Sequence, residues 1–269
     1  TGWLNFTPTI LFNYRNSTLN KKPETMKNWI FISIVLLSSC VSQRGKDEAK
    51  QEISSNQAAG NFPITIEVRK WPAFNYPTFA FWVEDLEGNY IETLFVTRFI
   101  AKGVFQHSEI APGKWNTIPG EVRRPAALPY WSHKRNIKAA DGLYTPSPET
   151  AVPDAISGAT PKTGFVLNTS LTQKPSGKIR LMLEINQAWD SNSFWSNNKF
   201  PGDMDYFASL QPSLVYAATI DPESFNAPVF LNPIGHGHYS GVDGSLSTDL
   251  SSLTTAKEIF LTIRAEKKQ

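Results

Sequence analysis

Gly235-His236-Gly237-His238 sets two imidazoles two positions apart, which on an extended chain puts both on one side. Two histidines so placed can share a metal ion, with a third ligand drawn from His107, His133 or Asp243. The other reading is a Gly-rich loop whose histidines hydrogen-bond to backbone. A second polar group is Asp154-Ala155-Ile156-Ser157-Gly158-Ala159-Thr160. Its small residues keep the approach to it open, and Gly158 permits close backbone contact. Pro161 biases Thr160 toward an extended backbone. The same residues also suit a loop entering a strand, because Gly164 and the apolar run Phe165-Val166-Leu167 follow. Hydrolytic chemistry lacks its parts: there is no Gly-x-Ser-x-Gly elbow and no phosphate-cradling glycine loop. Asp203 and Asp205 sit in a polar stretch and read as solvated. No catalytic constellation emerges, so the chain reads as a carrier or binding protein more than an enzyme.

Cys40 is the only cysteine, which excludes an internal disulfide and a cysteine-ligated metal. Its surroundings give it a different use. Met26-Lys27 precedes an apolar stretch of about ten residues, shorter than the ~20 a membrane-spanning helix needs. Small residues follow, in the order of a secretory signal. Leu37-Ser38-Ser39-Cys40 looks like a lipobox, in which cleavage precedes a cysteine that is then lipidated. The expected organisation is 1–25 as upstream, non-native translated sequence, 26–39 as signal peptide, 40–61 as a lipid-anchored flexible tether, and 62–269 as the folded domain. Location in the cell envelope follows, periplasmic or surface-exposed, with the membrane as a partner through the lipid on Cys40. Four of the 26 basic residues and one of the 24 acidic residues lie in the first 40 positions. The rest of the chain is therefore one charge to the negative side of neutral, which gives no electrostatic footing for nucleic acid.

The elements that would position these groups are strands. Ile64-Thr65-Ile66-Glu67-Val68 alternates apolar and polar, the period of a half-buried strand. Phe79–Val83 and Tyr90–Thr97 flank a polar, Gly-containing loop and predict a hairpin. Strand signals return at Gly164–Ser170, Lys178–Ile185, Ser213–Ile220 and Glu258–Arg264. About seven strands of this kind predict an all-β domain, an immunoglobulin- or fibronectin-like β-sandwich. Between the early and late strands lies a long excursion, residues 99–160. Seven of the 19 prolines fall between Pro112 and Pro153, too many for a sheet interior. One short helix is expected there, around Tyr130–Ala139 and ended by Asp141-Gly142. Trp115, Tyr130 and Trp131 beside Arg123, Arg124, Lys134 and Arg135 argue against disorder. An excursion of this length carries function or covers a sheet edge. Residues 186–207 read as a loop.

Several landmarks in order resemble a bacterial periplasmic family catalogued as domain of unknown function 2271. They are FAFWVEDLEGNYIETL, Leu128-Pro129-Tyr130-Trp131, DAISGATPKTGFVL, the strand Gly177–Glu184 and the ending GHGHYSGVDGSLSTDLSSLTTAKEIFLTI. The likeness spans roughly residues 62–266. Many members carry an Arg-Glu-His-Gly-like sequence after the later Glu, where this chain has Asn186-Gln187-Ala188-Trp189-Asp190, so the role of that segment does not carry over. No activity is established for the family. Its members are often encoded near enzymes that attach flavin mononucleotide (FMN) to exported proteins. The segment Asp154–Thr160 also resembles the acceptor motif of those flavin transferases, an Asp before Ser/Thr-Gly-Ala-Ser/Thr whose last hydroxyl takes the flavin phosphate. The resemblance implies Thr160 as acceptor, with Asp154, Ser157, Gly158 and Ala159 forming the motif. It implies covalent FMN as cofactor, and a flavin transferase or an envelope redox partner. Lys162 stands where the motif often has a second hydroxyl. Arg123 and Arg124 are candidate phosphate neighbours. Trp189 and Trp195 can stack a sugar or a flavin ring, or pack the sandwich. A binding module for a glycan, peptide or partner protein is the alternative to a flavin carrier.

Overall fold

A computed structural model of the protein describes residues 50–56, 61–105, 108–111, 114–116 and 118–268. Cys40, the export signal and His107 lie outside the described residues. In chain order the strands are β1 (Gln51–Ser54), β2 (Phe62–Lys70), β3 (Thr78–Asp85), β4 (Tyr90–Thr97), β5 (Val104–Phe105), β6 (Ser108–Ala111), β7 (Lys114–Asn116) and β8 (Gly120–Glu121). They continue with β9 (Ser157–Gly158), β10 (Phe165–Leu171), β11 (Ile179–Asn186), β12 (Leu214–Ile220), β13 (Val229–Phe230), β14 (Asn232–His236) and β15 (Phe260–Lys267). The helices are short: α1 (Arg98–Lys102), α2 (Pro129–Arg135) and α3 (Met204–Phe207).

The architecture is an all-β sandwich. One sheet has the order β1-β10-β2-β15-β13 and the other β14-β12-β11-β3-β4-β9. In the first sheet β2 alternates: Phe62, Ile64, Ile66 and Val68 are buried, and the residues between them are half-buried or exposed. That sheet therefore has one packed face and one wet face. In the second sheet every residue of β3 from Thr78 to Glu84 is buried. Near-continuous apolar strands of this kind mean burial on both faces. Phe79, Phe81 and Val83 point into the core between the sheets, where Phe79 stacks on Phe165 with ring centroids 5.4 Å apart. Ala80 and Trp82 point the other way, into a second core with Met182 and Val215.

The Pro-rich excursion supplies the other wall of that second core. Ile100 and Ala101 of α1, Leu128, Trp131 of α2 and Val152 pack onto the outer face of the six-stranded sheet. The excursion thus covers residues of the outer sheet face, and its end, Ser157-Gly158, also covers the β4 edge as β9. Helix α2 begins at Pro129, where the missing N–H costs nothing, and ends at Asn136 in the left-handed region. It is shorter than the expected 130–139 because Asn136 stops it before Asp141-Gly142 is reached.

The stretch read as tether is partly sheet. Gln51–Ser54 forms β1, a parallel edge strand on β10, with Ile53 packed against the inter-sheet core. One apolar residue among four gave no strand period, and the strand forms because β10 offers an open edge.

Candidate functional site

The segment Asp154–Thr160 lies at the β9 edge of the six-stranded sheet. Asp154–Ile156 makes one 3-10 turn, and Ser157-Gly158 then pairs in parallel with Val96 and Thr97 of β4. Asp154 is exposed and pairs with Lys102 at 2.9 Å; that hydrogen bond and charge, with Arg98 beyond, hold its carboxyl below the usual range. A Cβ on Gly158 would fall 3.0 Å from Phe95 Cε2, so packing against that ring is a sufficient reason for glycine here. The Ser157 hydroxyl is buried and has no hydrogen-bond partner. Ala159 is exposed and Thr160 half-exposed. Among the described residues the Thr160 side chain makes no hydrogen bond. Just beyond it the chain is fixed again: Pro161 is buried, Lys162 N–H donates to Gln51 Oε1 at 3.3 Å, and Gln51 N–H donates to Gly164 O at 3.0 Å. Thr160 thus sits on a short bridge between two fastened segments, with its hydroxyl free.

A free hydroxyl, Thr160, and an orphaned one, Ser157, lie three residues apart, and the nearby Lys102 is committed to Asp154 and to Val152 O. Arg123 and Arg124 are not phosphate neighbours, because both are committed elsewhere. Arg123 pairs with Asp141 and donates to Thr145 O. Arg124 donates to Ala208 O at 2.7 Å and lies over the Phe105 ring.

The histidines turn to local partners. His236 Nδ1 bonds Gly237 O at 2.8 Å. His238 Nδ1 accepts from Ser240 N–H at 3.2 Å, and its ring stacks on Tyr239. His133 Nδ1 bonds Pro129 O at 2.8 Å. Asp243 lies in the field of His133 and His238, but its carboxyl is lowered mainly by hydrogen bonds from Ser245. Among the described residues no three His, Cys, Asp or Glu side chains are placed to hold a metal ion.

The two tryptophans separate. Trp195 is buried at 6% exposure in an aromatic cluster with Phe200, Tyr206 and Tyr239. Trp189 is 53% exposed. Asp203 caps α3 by accepting from Tyr206 N–H at 2.8 Å, and Asp205 is exposed. Trp131 donates from Nε1 to Thr93 Oγ1 at 2.9 Å, with Arg135 over its ring. Lys134 lies over Tyr130 and donates to Gly88 O at 2.6 Å.

Two carboxylates escaped the sequence reading. Glu184 of β11 is fully buried on the outer face and accepts from Tyr130 N–H at 3.1 Å, Trp131 N–H at 2.6 Å and Ser213 Oγ at 2.5 Å. It satisfies the otherwise open first turn of α2 from outside the helix. Burial nevertheless outweighs these bonds and pushes its carboxyl up to about 7. Glu84 is equally buried, holds Trp82 Nε1 at 2.9 Å, and has Arg180 at 3.4 Å and Lys134 at 3.8 Å. The signal was present: Glu184 stands inside the apolar run Ile179–Ile185, where an acidic residue must be either paired or functional.

The chain matches no family model, no curated protein and no solved structure.

Proposed function

We propose that this protein is an exported β-sandwich, anchored in the cell envelope by lipid on Cys40, that carries FMN as a phosphoester on Thr160 for extracytoplasmic electron transfer. The observation that carries the reading is the free, half-exposed Thr160 hydroxyl between two fixed segments. The likeness of Asp154–Thr160 to a flavin-acceptor motif, and of residues 62–266 to a periplasmic family, supports it. The ester forms when the Thr160 oxygen attacks a flavin phosphate that carries a leaving group. From a flavin dinucleotide the diphosphate bond breaks, AMP departs and the hydroxyl proton passes to solvent. Bound flavin would supply reversible one- and two-electron transfer. The chain's own part is to present the hydroxyl and hold the segment still through β9 and Gln51. Covalent attachment also retains a cofactor that would otherwise diffuse away outside the cytoplasm.

Co-expression with a flavin transferase, followed by intact-mass and tryptic analysis, tests this. The expected product is heavier by one FMN less one water, is yellow, and carries the added mass on the Thr160 peptide. Thr160→Ala stays colourless at the same yield. An unmodified wild-type chain beside a modified positive-control acceptor refutes the assignment.

A second reading, a binding module for a glycan, peptide or partner protein, is favoured by the large side chains that stay exposed, Tyr76 at 63% and Phe194 at 53%.

A further inference from the structure

The loop between β11 and β12 gathers three aromatic rings around one ammonium. Lys199 Nζ lies 3.2 Å from the ring centroid of Phe194, 4.8 Å from that of Trp195 and 5.9 Å from that of Phe200. All three distances fall within the ~6 Å over which a ring face attracts a cation. The rings stand at angles to one another. Phe194 meets Trp195 at 77° with centroids 5.1 Å apart, and Trp195 is tilted by 40° to Phe200 at 6.5 Å. They therefore wall a box and do not stack as a column.

The walls are fastened. Asn192 Oδ1 accepts from Phe194 N–H at 2.8 Å and Trp195 N–H at 2.7 Å, while Asn192 Nδ2 donates to Ser252 O at 2.8 Å. Trp195 Nε1 donates to Ser252 Oγ at 3.1 Å. Phe200 stacks on Tyr239 with centroids 4.0 Å apart and planes within 6°. Tyr206 touches both Trp195 and Phe200, and its hydroxyl donates to Ser196 O at 2.7 Å. Of the three walls only Phe194 is exposed, so the box opens on that side. Its occupant is held differently. Among the described residues the Lys199 ammonium has no carboxylate partner and donates no hydrogen bond, and it rests on the rings alone.

A lysine ammonium is compact and strongly hydrated, and its three N–H donors find no protein acceptor among rings. It is a weak occupant. A quaternary ammonium has no N–H to satisfy and turns methyl groups to the ring faces, so the same box holds it better. The lysine stem is a run of single bonds that turns outward without moving a wall. We infer that Phe194, Trp195 and Phe200 form a binding site for a quaternary ammonium group, with Lys199 as a plug that the ligand displaces. The site shares no residue with the Thr160 segment, and the inference stands apart from the flavin reading.

Titration of the full chain in a maltoside detergent with choline, read by calorimetry and tryptophan fluorescence, tests this. The neutral isostere 3,3-dimethyl-1-butanol controls for apolar contact. Choline binds the wild type and shifts the tryptophan emission, and the isostere binds at least about tenfold more weakly. Lys199→Ala removes the competing ammonium and tightens choline binding about tenfold, as for a box that the plug leaves open about a tenth of the time. In the Lys199→Ala protein, Phe194→Leu keeps an apolar side chain at an exposed position, leaves the melting temperature unchanged and weakens choline about tenfold. Phe194→Tyr, which keeps the ring face, retains the binding. Glycine betaine and dihexanoylphosphatidylcholine, titrated in parallel, tell a free solute from a lipid headgroup by which binds more tightly. Failure of choline to bind the Lys199→Ala protein, equal binding of the isostere, unchanged affinity on loss of Lys199, or binding that survives Phe194→Leu overturns the proposal. Thr160→Ala leaves choline binding as it is, so these results and the mass analysis of flavin attachment are read separately.

Discussion

The two faces of the six-stranded sheet are buried by different means. The inner face meets the other sheet through hydrocarbon and aromatic rings, among them Phe79, Phe81, Leu183 and Phe165. The outer face meets the Pro-rich excursion, and there two fully buried carboxylates, Glu84 and Glu184, sit among Trp82, Tyr130 and Trp131. Two sheets with complementary apolar faces hold each other by area alone. A segment with few regular elements of its own cannot, so it is pinned at points, chiefly where Glu184 takes the first turn of α2. Area is insensitive to pH and tolerant of small change, whereas a pin is neither.

The largest effect expected is on the inner face. Phe79→Ala removes a ring that meets Phe81, Phe95, Phe165 and Phe260, and costs about 3–5 kcal/mol. Urea unfolding should show loss of the whole domain in one transition. If the strands beneath survive while only the excursion opens, the two faces do not differ as described.

The second effect belongs to the pin. The Glu184 carboxyl sits at about 7 in the folded protein, against an ordinary value of 4.5. The native state therefore binds its proton more tightly than the unfolded chain. The stability this proton confers is full below about pH 4.5 and is lost as pH rises through about 7, a change of up to about 3 kcal/mol. Urea midpoints between pH 5 and pH 8 should fall for the wild type and stay flatter for Glu184→Gln. Hydrogen exchange should place the loss first in residues 98–156. A pH slope identical in the two proteins would remove Glu184 from this role.

The smallest effect tests the fit around the pin. A Cβ on Gly237 would fall 2.5 Å from Pro129 Cγ and 2.6 Å from Ser213 Oγ. Gly237→Ala should cost about 1–3 kcal/mol through overpacking. The α2 amides should exchange faster while those of β2 and β10 keep their protection. Uniform loss of protection would mean that the outer layer is no softer than the inner.

The sequence carried part of this contrast. Ile64–Val68 alternates and Phe79–Val83 does not, and that difference already separates a one-sided strand from a two-sided one. What covers the second side was illegible, because α1, α2 and the loops between them have no period long enough to show a buried stripe. β1 was missed for the same reason, since Gln51-Glu52-Ile53-Ser54 becomes a strand only by borrowing the edge of β10. At the sites, residue type was readable and commitment was not. His236 and His238 have the spacing of ligands and spend it on local bonds. Trp189 and Trp195 are alike in sequence and opposite in burial.

The pairing of β1 also decides where a pull on the chain ahead of it is felt. Gln51 is bonded to Gly164 and to Lys162, and Lys50 pairs with Glu67 of β2 at 2.6 Å, so tension arriving at Lys50 is shared between two neighbouring strands of the five-stranded sheet. Because β1 runs parallel to β10, that load is spread as shear along the ladder and does not open it one rung at a time.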